Sequence, residues 1–425
     1  MINLNKKKIC IVGLGYVGLP LLLAFAKKNK VIGYDIDRQR VESLLKGIDI
    51  NKEVKAISLK EKNIFFTNNI NDISQSNIII VTIPTPIYKN NKPNLEPLKN
   101  SIKSISSIIK KNTLLIIEST VYPGVTENII SKIIQKNSKL KLNKDFFLGY
   151  SPERINPGEK KRKIEDIKKV VSGSNEKVTN IIYKLYSEII SAGVFKAKNI
   201  KTAEASKVIE NVQRDLNIAL INDLSMMFKR DDIDIFDVLD ASSTKWNFHP
   251  YTPGLVGGHC IGVDPYYLTY WSKQKGHNSD FILSGRKINE SMNNYLIKNI
   301  IKIFKEKNLS IIKSEILIFG VTFKENCADI RNSKALVIAK YFIKKAKNVS
   351  IYDPLVNENT LNKELDNYKL INLPTKKKFD CLIILTPHDE IKKIGHKNML
   401  KFAKNNFILI DIKKSLGDVR VDFSL

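Results

Sequence analysis

A cysteine stands in a glycine-rich loop beside an acid, in the stretch Gly257-Gly258-His259-Cys260-Ile261-Gly262-Val263-Asp264-Pro265. A thiolate is a nucleophile, a loop exposes it, and glycines leave room for a substrate. An ordinary buried cysteine is the commoner occupant of such a position, and the residues alone leave both readings open. His259 could serve as a base, but adjacent side chains usually diverge, so a structural or substrate-contact role is expected of it. Lys207 and Asn211 are four apart in a helical stretch and so share one face, with Glu204 as a near neighbour. A partly buried lysine there would hold an oxyanion or an anionic substrate; the alternative is a solvated helix face. Ser151-Pro152-Glu153-Arg154-Ile155-Asn156-Pro157-Gly158 follows an apolar run directly. Glu153 at a strand end could act as a general base, or the stretch is a plain turn.

Gly13-Leu14-Gly15-Tyr16-Val17-Gly18 joins an apolar run to a helix-like stretch, and Asp35 closes the next apolar run 22 positions after Gly13. In a strand–turn–helix context these glycines have separate tasks. Gly13 permits the tight turn, Gly15 lets a pyrophosphate reach the backbone, and Gly18 permits close helix–strand packing. The helix N-terminus offers its free N–H groups to phosphate. An acid at Asp35 would accept both ribose hydroxyls and repel a 2′-phosphate, which favours NAD over NADP. A glycine turn without a ligand is the alternative. The five histidines and the four cysteines (Cys10, Cys260, Cys327, Cys381) are scattered, so neither a metal site nor a disulfide framework is expected.

The elements that must carry these residues can be read from periodicity. Strands are expected at 8–12, 31–35, 78–83, 114–118 and 146–150, with helices between them. This alternation gives a parallel sheet covered on both faces, in a first domain over 1–195. Residues 201–229 form a helical pattern without Pro or Gly. Such a helix would be roughly 43 Å long at about 1.5 Å per residue, a spine between domains or subunits. Helices are expected near 235–241 and 279–305, separated by a loop over 246–271, within a central domain over 196–308. A second alternating pattern occupies 309–425. Its strands are expected at 316–319, 349–352, 381–385 and 407–410, and its helices at 333–345 and 389–404. Its first turn, GVTFKEN, lacks the three-glycine spacing, which suits a different ligand. The fold class is therefore α/β: two Rossmann-like doubly wound domains joined by a central helical domain with a long spine helix.

Hydrophobic residues make up 43% of the 425, enough for a globular chain of this length. No apolar run approaches the roughly 18–20 residues that span a bilayer. Gly13, Gly15 and Gly18 interrupt the apolar N-terminal stretch and no small-residue cleavage site follows, so it reads as a first strand and a cytoplasmic location is expected. A net charge of +27 marks some nucleic-acid binders. Here the lysines are spread, as at Lys110-Lys111, Lys168-Lys169 and Lys376 to Lys378, among many Asn and Ile residues. That is compositional drift rather than a patch, and neither a nucleic-acid nor a membrane partner is expected.

Seven stretches in order, KICIVGLGYVGLP, VTIPTP, ESTVYPG, YSPERINPG, EASKVIENVQRDLNIALINDL, PGLVGGHCIGVDPYYL and FGVTFKENCADIRNSKA, together resemble the UDP-glucose/GDP-mannose dehydrogenase family over essentially the whole chain. YSPERINPG and GGHCIGVDPYYLT are most similar to its bacterial UDP-N-acetylhexosamine 6-dehydrogenases of Vi-antigen and O-antigen polysaccharide pathways, which act on UDP-N-acetylglucosamine or UDP-N-acetylgalactosamine. The resemblance implies a four-electron oxidation at C6 with NAD as cofactor and Cys260 as nucleophile, through a thiohemiacetal and a thioester. It implies that Asp264 positions or activates water, that Lys207 stabilises oxyanions, and that Asn211 is its partner beside the substrate. Thr120 would hold water and Glu153 would be the base. On the cofactor it places Gly13, Gly15, Tyr16, Val17, Gly18, Asp35, Arg40, Thr85, Thr120 and Arg331. On the substrate it places Arg154, Tyr251, Gly254, Gly257, Gly258, His259 and Lys324, with the loop from Tyr251 to Gly258 wrapping the UDP-sugar. The C-terminal domain would bind UDP, and the spine helix would bury a homodimer interface.

Two positions depart from the UDP-glucose enzymes. Those carry a second acid four residues after the one matching Glu153, where this chain has Pro157, and an arginine from the partner subunit upstream of the catalytic loop, where this chain reads TKWNFHPYTP. Both departures fit the N-acetylhexosamine branch. Dehydrogenases of 6-phosphogluconate or 2-hydroxyacids would share the N-terminal fold but need no cysteine. A non-catalytic sugar-nucleotide binder would have no use for the full set of Cys260, Lys207, Asn211, Glu153 and Asp264.

Overall fold

The computed structural model describes residues 4–51, 54, 56–154 and 162–425. The last part of the SPERINPG stretch, Ile155 to Gly158 with Pro157, lies outside the described residues. The chain divides into two compact units, Met1–Glu210 with Tyr266–Asn278, and Asn211–Pro265 with Ser279–Leu425.

The first unit is built on strands β1 (Ile9–Val12), β2 (Val31–Tyr34), β3 (Ile64–Thr67), β4 (Ile78–Val81), β5 (Thr113–Ile117), β6 (Phe146–Tyr150), β7 (Lys169–Gly173) and β8 (Val194–Lys196), in the order β3-β2-β1-β4-β5-β6-β7-β8. The order reverses between β1 and β4, as in a doubly wound sheet, and a ligand is expected beyond the strand ends at that reversal. Strands β1, β4 and β5 are buried at every residue, because helices cover both faces and no face alternates toward water. The sheet departs from the expected parallel arrangement at one place. β7 runs antiparallel to β6, with Tyr150 opposite Ser172. Sequence reading missed β3, β7 and β8, which are short and carry polar or half-exposed residues.

The second unit contains β9 (Glu315–Phe319), β10 (Asn348–Tyr352), β11 (Lys369–Leu370), β12 (Phe379–Ile384) and β13 (Ala403–Asp411), all parallel, in the order β11-β10-β9-β12-β13. The helix Asp280–Glu306 lays Met292, Leu296, Ile300 and Phe304 into a core shared with Ile316, Ile318 and Ile383. Leu317, Phe319, Leu382 and Ile384 face the opposite core. The alternation of inward residues on β9 and β12 between two cores is what a sheet covered on both faces requires.

A helix of 29 residues, Ile200–Phe228, runs from the end of the first unit into the second. The loop expected over 246–271 is shorter than that, because a helix begins at Asp264 and continues to Gln274. Pro265 sits where proline suits a helix start, and the aspartate before it complements the N-terminal dipole. No described helix is long and apolar enough to cross a membrane.

Both sheets finish their first strand with the same device. Gly13 (φ +93°) donates its N–H to Tyr34 O at 2.8 Å, and Gly320 (φ +76°) donates to Tyr352 O at 2.9 Å. The next N–H is taken by the aspartate that closes the second strand: Leu14 N to Asp35 Oδ2 at 2.7 Å, and Val321 N to Asp353 Oδ2 at 2.8 Å. In the first unit Gly18 then packs so closely that a Cβ there would lie 1.8 Å from Gly13 O. Gly18→Ala is therefore expected to force this turn apart and cost about 1–3 kcal/mol, the range for overpacking. Denaturant unfolding followed by circular dichroism checks this, and a variant as stable as wild type would show that the turn yields.

Candidate active site

The glycine turn of the first unit presents an open backbone. Gly15 is exposed, with nothing within 4 Å of where a Cβ would stand. The helix Gly18–Ala26 starts after Val17 with no side-chain cap on its N–H groups, and Tyr16 is partly exposed beside it. The Thr82 hydroxyl donates to Gly13 O at 2.7 Å. Arg40 is buried, its Nε donating to Leu14 O at 2.9 Å and its guanidinium pairing with Asp49 at 2.8 Å. Arg40 thus fastens the back of the turn, and Asp35 fastens it through Leu14 N and Asp37 N.

At the carboxyl ends of the other strands, Thr85 donates its hydroxyl to Thr120 O at 2.7 Å, joining the segments after β4 and β5. Thr85 O in turn accepts from the Tyr267 hydroxyl at 2.9 Å. Glu153, after β6, is buried and lies 3.4 Å from Lys169 Nζ at the start of β7. Lys169 is 3% exposed and also holds Glu118 at 2.8 Å; Tyr186 donates its hydroxyl to the other oxygen of Glu118. Arg154 pairs with Glu210 of the long helix. Burial pushes Glu118 up to about 7, with Glu153 adding to the rise and Lys169 opposing it. Burial works against the Lys169 ammonium, but the two carboxylates outweigh it and hold its pKa above the usual lysine value. Lys169 is thus no part of the compositional drift, despite its place among the scattered lysines.

On the long helix, Glu204 is fully buried and accepts from the backbone N–H groups of Gly124 and Thr126, the latter at 2.9 Å. It clamps the segment after β5. Lys207, one turn on, is half-buried and forms no ion pair with a described residue.

In the second unit the long helix contributes Asn211, whose amide donates to Asp264 Oδ2 at 2.5 Å. Both are buried. The Asp264 N–H donates to Cys260 O at 2.9 Å, so Asn211 holds the acid and the acid's own backbone holds the cysteine's turn. Cys260 is partly exposed, whereas Cys10, Cys327 and Cys381 are buried. Burial drives the thiols of Cys10 and Cys381 far above their ordinary range, which makes those two inert.

The cysteine loop rests on the segment that follows β9. Gly258 (φ +85°) is pressed against Phe323, and a Cβ there would lie 2.5 Å from its ring. The amide of Asn332 donates to Gly258 O at 3.3 Å, and Gly258 N donates back to Asn332 O at 3.3 Å. The His259 ring meets Phe323 edge-on with centroids 5.9 Å apart, and its Nδ1 is 3.5 Å from Asp329 Oδ2. Asp329 also takes both arms of Arg331, at 2.6 and 3.0 Å, while Lys324 lies over the Phe323 ring at 5.5 Å. Tyr251 packs on Ile221, Ile235 and Leu239. Gly254 is gripped by Asn222, which accepts its N–H at 2.8 Å and donates to its carbonyl at 3.0 Å. Asn222 is joined to Asn289 at 2.8 Å, Asn289 to Asp215 at 2.7 Å, and Asp215 to the buried Arg286 at 2.6 Å. The sequence reading did not single out Glu118, Lys169, Asp215, Asn222, Arg286 or Asn289. Polar residues at core-facing positions of the two long helices were the available signal for the last four.

Family models match the chain in three consecutive parts, each described as belonging to the UDP-glucose/GDP-mannose dehydrogenase family: the NAD binding domain over 7–190, the central domain over 201–291 and the UDP binding domain over 317–418. The chain belongs to the UDP-glucose/GDP-mannose dehydrogenase family. It is 45% identical over 419 residues to a UDP-N-acetyl-D-glucosamine 6-dehydrogenase of Pseudomonas aeruginosa, covering 98% of this chain and 99% of the relative. It is 42% identical over 428 residues to the Salmonella typhi protein of the same name, covering the whole of both. The solved structure of a UDP-D-ManNAc dehydrogenase from Pyrococcus horikoshii superposes with a TM-score of 0.86 at 29% identity, over 98% of this chain and 97% of that one.

As a member of this family the protein is an NAD-dependent nucleotide-sugar dehydrogenase. Its glycine turn fits the dinucleotide. The exposed Gly15 leaves room for a pyrophosphate against the backbone, and the uncapped N–H groups of Gly18–Ala26 meet its charge. Asp35 is held by two backbone donors, the N–H groups of Leu14 and Asp37.

Two outcomes are expected of the residues that shape these sites. Asn222→Ala removes the Asn222 partner of the buried N–H and carbonyl of Gly254 and of the side-chain oxygen of Asn289, which should cost about 1–3 kcal/mol for each group left unsatisfied; urea unfolding measures the loss. Glu204 is pushed up to about 7 by burial, against the pull of the Thr126 and Gly124 N–H groups. Between the ordinary glutamate value of 4.5 and about 7, the folded protein keeps a proton that the unfolded chain has released. The stability contributed by Glu204 therefore falls as pH rises through that window and is level above it. The stability of wild type relative to Glu204→Gln should rise as pH is lowered from neutral toward 5. A gap that stays constant across the window would show that Glu204 titrates normally.

Proposed function

We propose that this enzyme oxidises the C6 hydroxyl of UDP-N-acetylglucosamine to the carboxylate in two consecutive oxidations, with Cys260 as the covalent catalyst. The reading is carried by one observation: Cys260 is the partly exposed cysteine of four, seated on a turn whose backbone is bonded to Asp264. The full-length identity to two UDP-N-acetyl-D-glucosamine 6-dehydrogenases supports the sugar. Pro157 and the arginine-free TKWNFHPYTP stretch agree with it, because both depart from the UDP-glucose enzymes.

NAD, when bound, accepts the hydride that C6 releases at each oxidation. The residues of this chain perform the rest. After the first oxidation C6 is an aldehyde, which carries no hydrogen that leaves as hydride until a nucleophile has added. The Cys260 thiolate adds to the carbonyl carbon, and the new oxyanion is stabilised by Lys207, the half-buried ammonium on the long helix. Oxidation of the resulting thiohemiacetal gives a thioester. Water held by Thr120 and deprotonated by Glu153 attacks the acyl carbon, the C–S bond breaks, and the Cys260 thiolate leaves. Asp264, oriented by Asn211, positions that water. Residues 1–195 would serve NAD, 196–308 the cysteine loop and a homodimer interface along the spine helix, and 309–425 the UDP moiety. The matches over 7–190, 201–291 and 317–418 support this division. The product, a nucleotide-linked uronic acid, suits a cytoplasmic step in surface-polysaccharide synthesis; the 44% identity to Protein CapL of Staphylococcus aureus agrees with that role.

The experiment is the stoichiometry of NADH formed from UDP-N-acetylglucosamine, run to completion and compared with UDP-N-acetylgalactosamine, UDP-glucose and GDP-mannose. Two NADH per UDP-N-acetylglucosamine are expected, and Cys260→Ala should form no acid. One NADH per sugar, or acid formation by Cys260→Ala, would overturn the covalent mechanism. Faster turnover of another sugar would overturn the substrate.

A further inference from the structure

A lysine as the first residue of a buried strand, 3% exposed, calls for a reason. An isolated ammonium in that position would give up its hydration for nothing. The antiparallel direction of β7 supplies the reason. β5 and β6 run parallel, so Glu118 and Glu153 follow their carboxyl ends. β7 returns against β6, which brings its first residue to that same end of the sheet. Tyr150 lies opposite Ser172, and the register carried three residues further sets Glu153 opposite Lys169. The ammonium then stands 2.8 Å from Glu118 Oε2 and 3.4 Å from Glu153 Oε2, over the face of Tyr186 at 5.3 Å.

We propose that Lys169 is a positioning residue for the base Glu153, and that Glu118 sets how much of the lysine's charge Glu153 receives. The proposal rests on the reading of Glu153 as the general base. The groups facing Lys169 are Glu118 from the end of β5, Glu153 from the segment after β6, and Tyr186 from the helix Glu176–Ser187. Arg154 is turned away to Glu210. One ammonium cannot neutralise two carboxylates, so the cluster is one charge short whenever both are ionised. Tyr186, held neutral by burial and by the adjacent Glu118 charge, fixes the far oxygen of Glu118 and leaves the near one for Lys169. With Glu118 protonated, the Lys169 ammonium serves Glu153 alone. With Glu118 ionised, the lysine is shared between two carboxylates and the second negative charge stands beside Glu153.

The test is the pH dependence of kcat with saturating NAD and UDP-N-acetylglucosamine, in Lys169→Met, Lys169→Arg, Glu118→Gln and Glu153→Gln. The acid limb reports the base that must be ionised. Lys169→Met leaves two buried carboxylates facing each other and should move that limb to higher pH by about one unit or more. Glu118→Gln gives Lys169 wholly to Glu153 and should move it to lower pH by about one unit. Lys169→Arg keeps the charge and should hold the limb near its wild-type position. Opposite displacements in the two neutral variants support the proposal, because a merely structural lysine would lower kcat without moving the limb. Limbs that stay fixed, or move together, while Glu153→Gln is inactive overturn it and leave the base intact. Wild-type turnover by Glu153→Gln removes the base itself, and the proposal with it. If Lys169→Met does not fold, as judged by circular dichroism, the displacement between Glu118→Gln and Lys169→Arg decides alone.

Discussion

A central strand that turns into a helix beyond its carboxyl end leaves backbone N–H groups with no strand partner, and each must be satisfied without closing the turn. Both sheets solve this in the same way. The aspartate after the second strand takes the N–H that follows the first glycine, Leu14 N in one unit and Val321 N in the other. Its second oxygen takes an N–H two residues on, at 3.0 Å in each case. The turn is then rigid and still open on the ligand side. In the first unit that opening holds Gly15 and an uncapped helix start, which suits a pyrophosphate. In the second, Asp353 is backed further by the buried His388, whose Nε2 lies 3.3 Å away while its Nδ1 accepts from Asn326. The frame is shared by both sheets, and only the first carries the three-glycine spacing within it.

Among the described residues, buried charge is placed where it positions backbone or another charge. Glu204 spends both oxygens on the N–H groups of Gly124 and Thr126. Arg286 meets Asp215, and Asp215 is continued through Asn289 and Asn222 to the backbone of Gly254. Replacing such a chain by apolar residues could be stabilising, but nothing apolar can hold a loop by its N–H and carbonyl at once. Gly254, in the loop that begins at Tyr251, therefore takes its position from the two long helices.

Much of this was legible in the sequence. Strands with unbroken apolar runs, such as 78–81 and 316–319, were expected within two residues of where they lie, and the long helix within one. Their signal is local, because burial on both faces imposes a continuous apolar run. β7 was missed because its first residue is a lysine, and the helix at Asp264 because Pro265 and two tyrosines read as loop. The contiguous stretches Gly13 to Gly18 and Gly257 to Asp264 stand out in the sequence as glycine-rich turns, but the residues alone leave their roles open. The pairings were not legible. Lys169 and Glu118 are 51 positions apart, and Arg286 and Asp215 are 71 apart. A polar residue at a buried position signals that a partner exists, but only the fold says which one.

The cysteine loop shows why a motif of this kind must be long. Cys260 needs a turn that leaves it partly exposed, and that turn is fixed from both sides by residues of the same short stretch. Gly258 lets the chain press onto Phe323 in a conformation closed to residues with a Cβ, and Asp264 ties the far side through its N–H to Cys260 O. The carboxylate of Asp264 takes the Asn211 amide, which orients it. An alanine at 264 would keep the backbone bond and lose the carboxylate, so the turn itself does not depend on that side chain. At Gly258 the backbone conformation and the contact cannot be separated, since the residue that shapes the turn is also the one that seats the loop on Phe323.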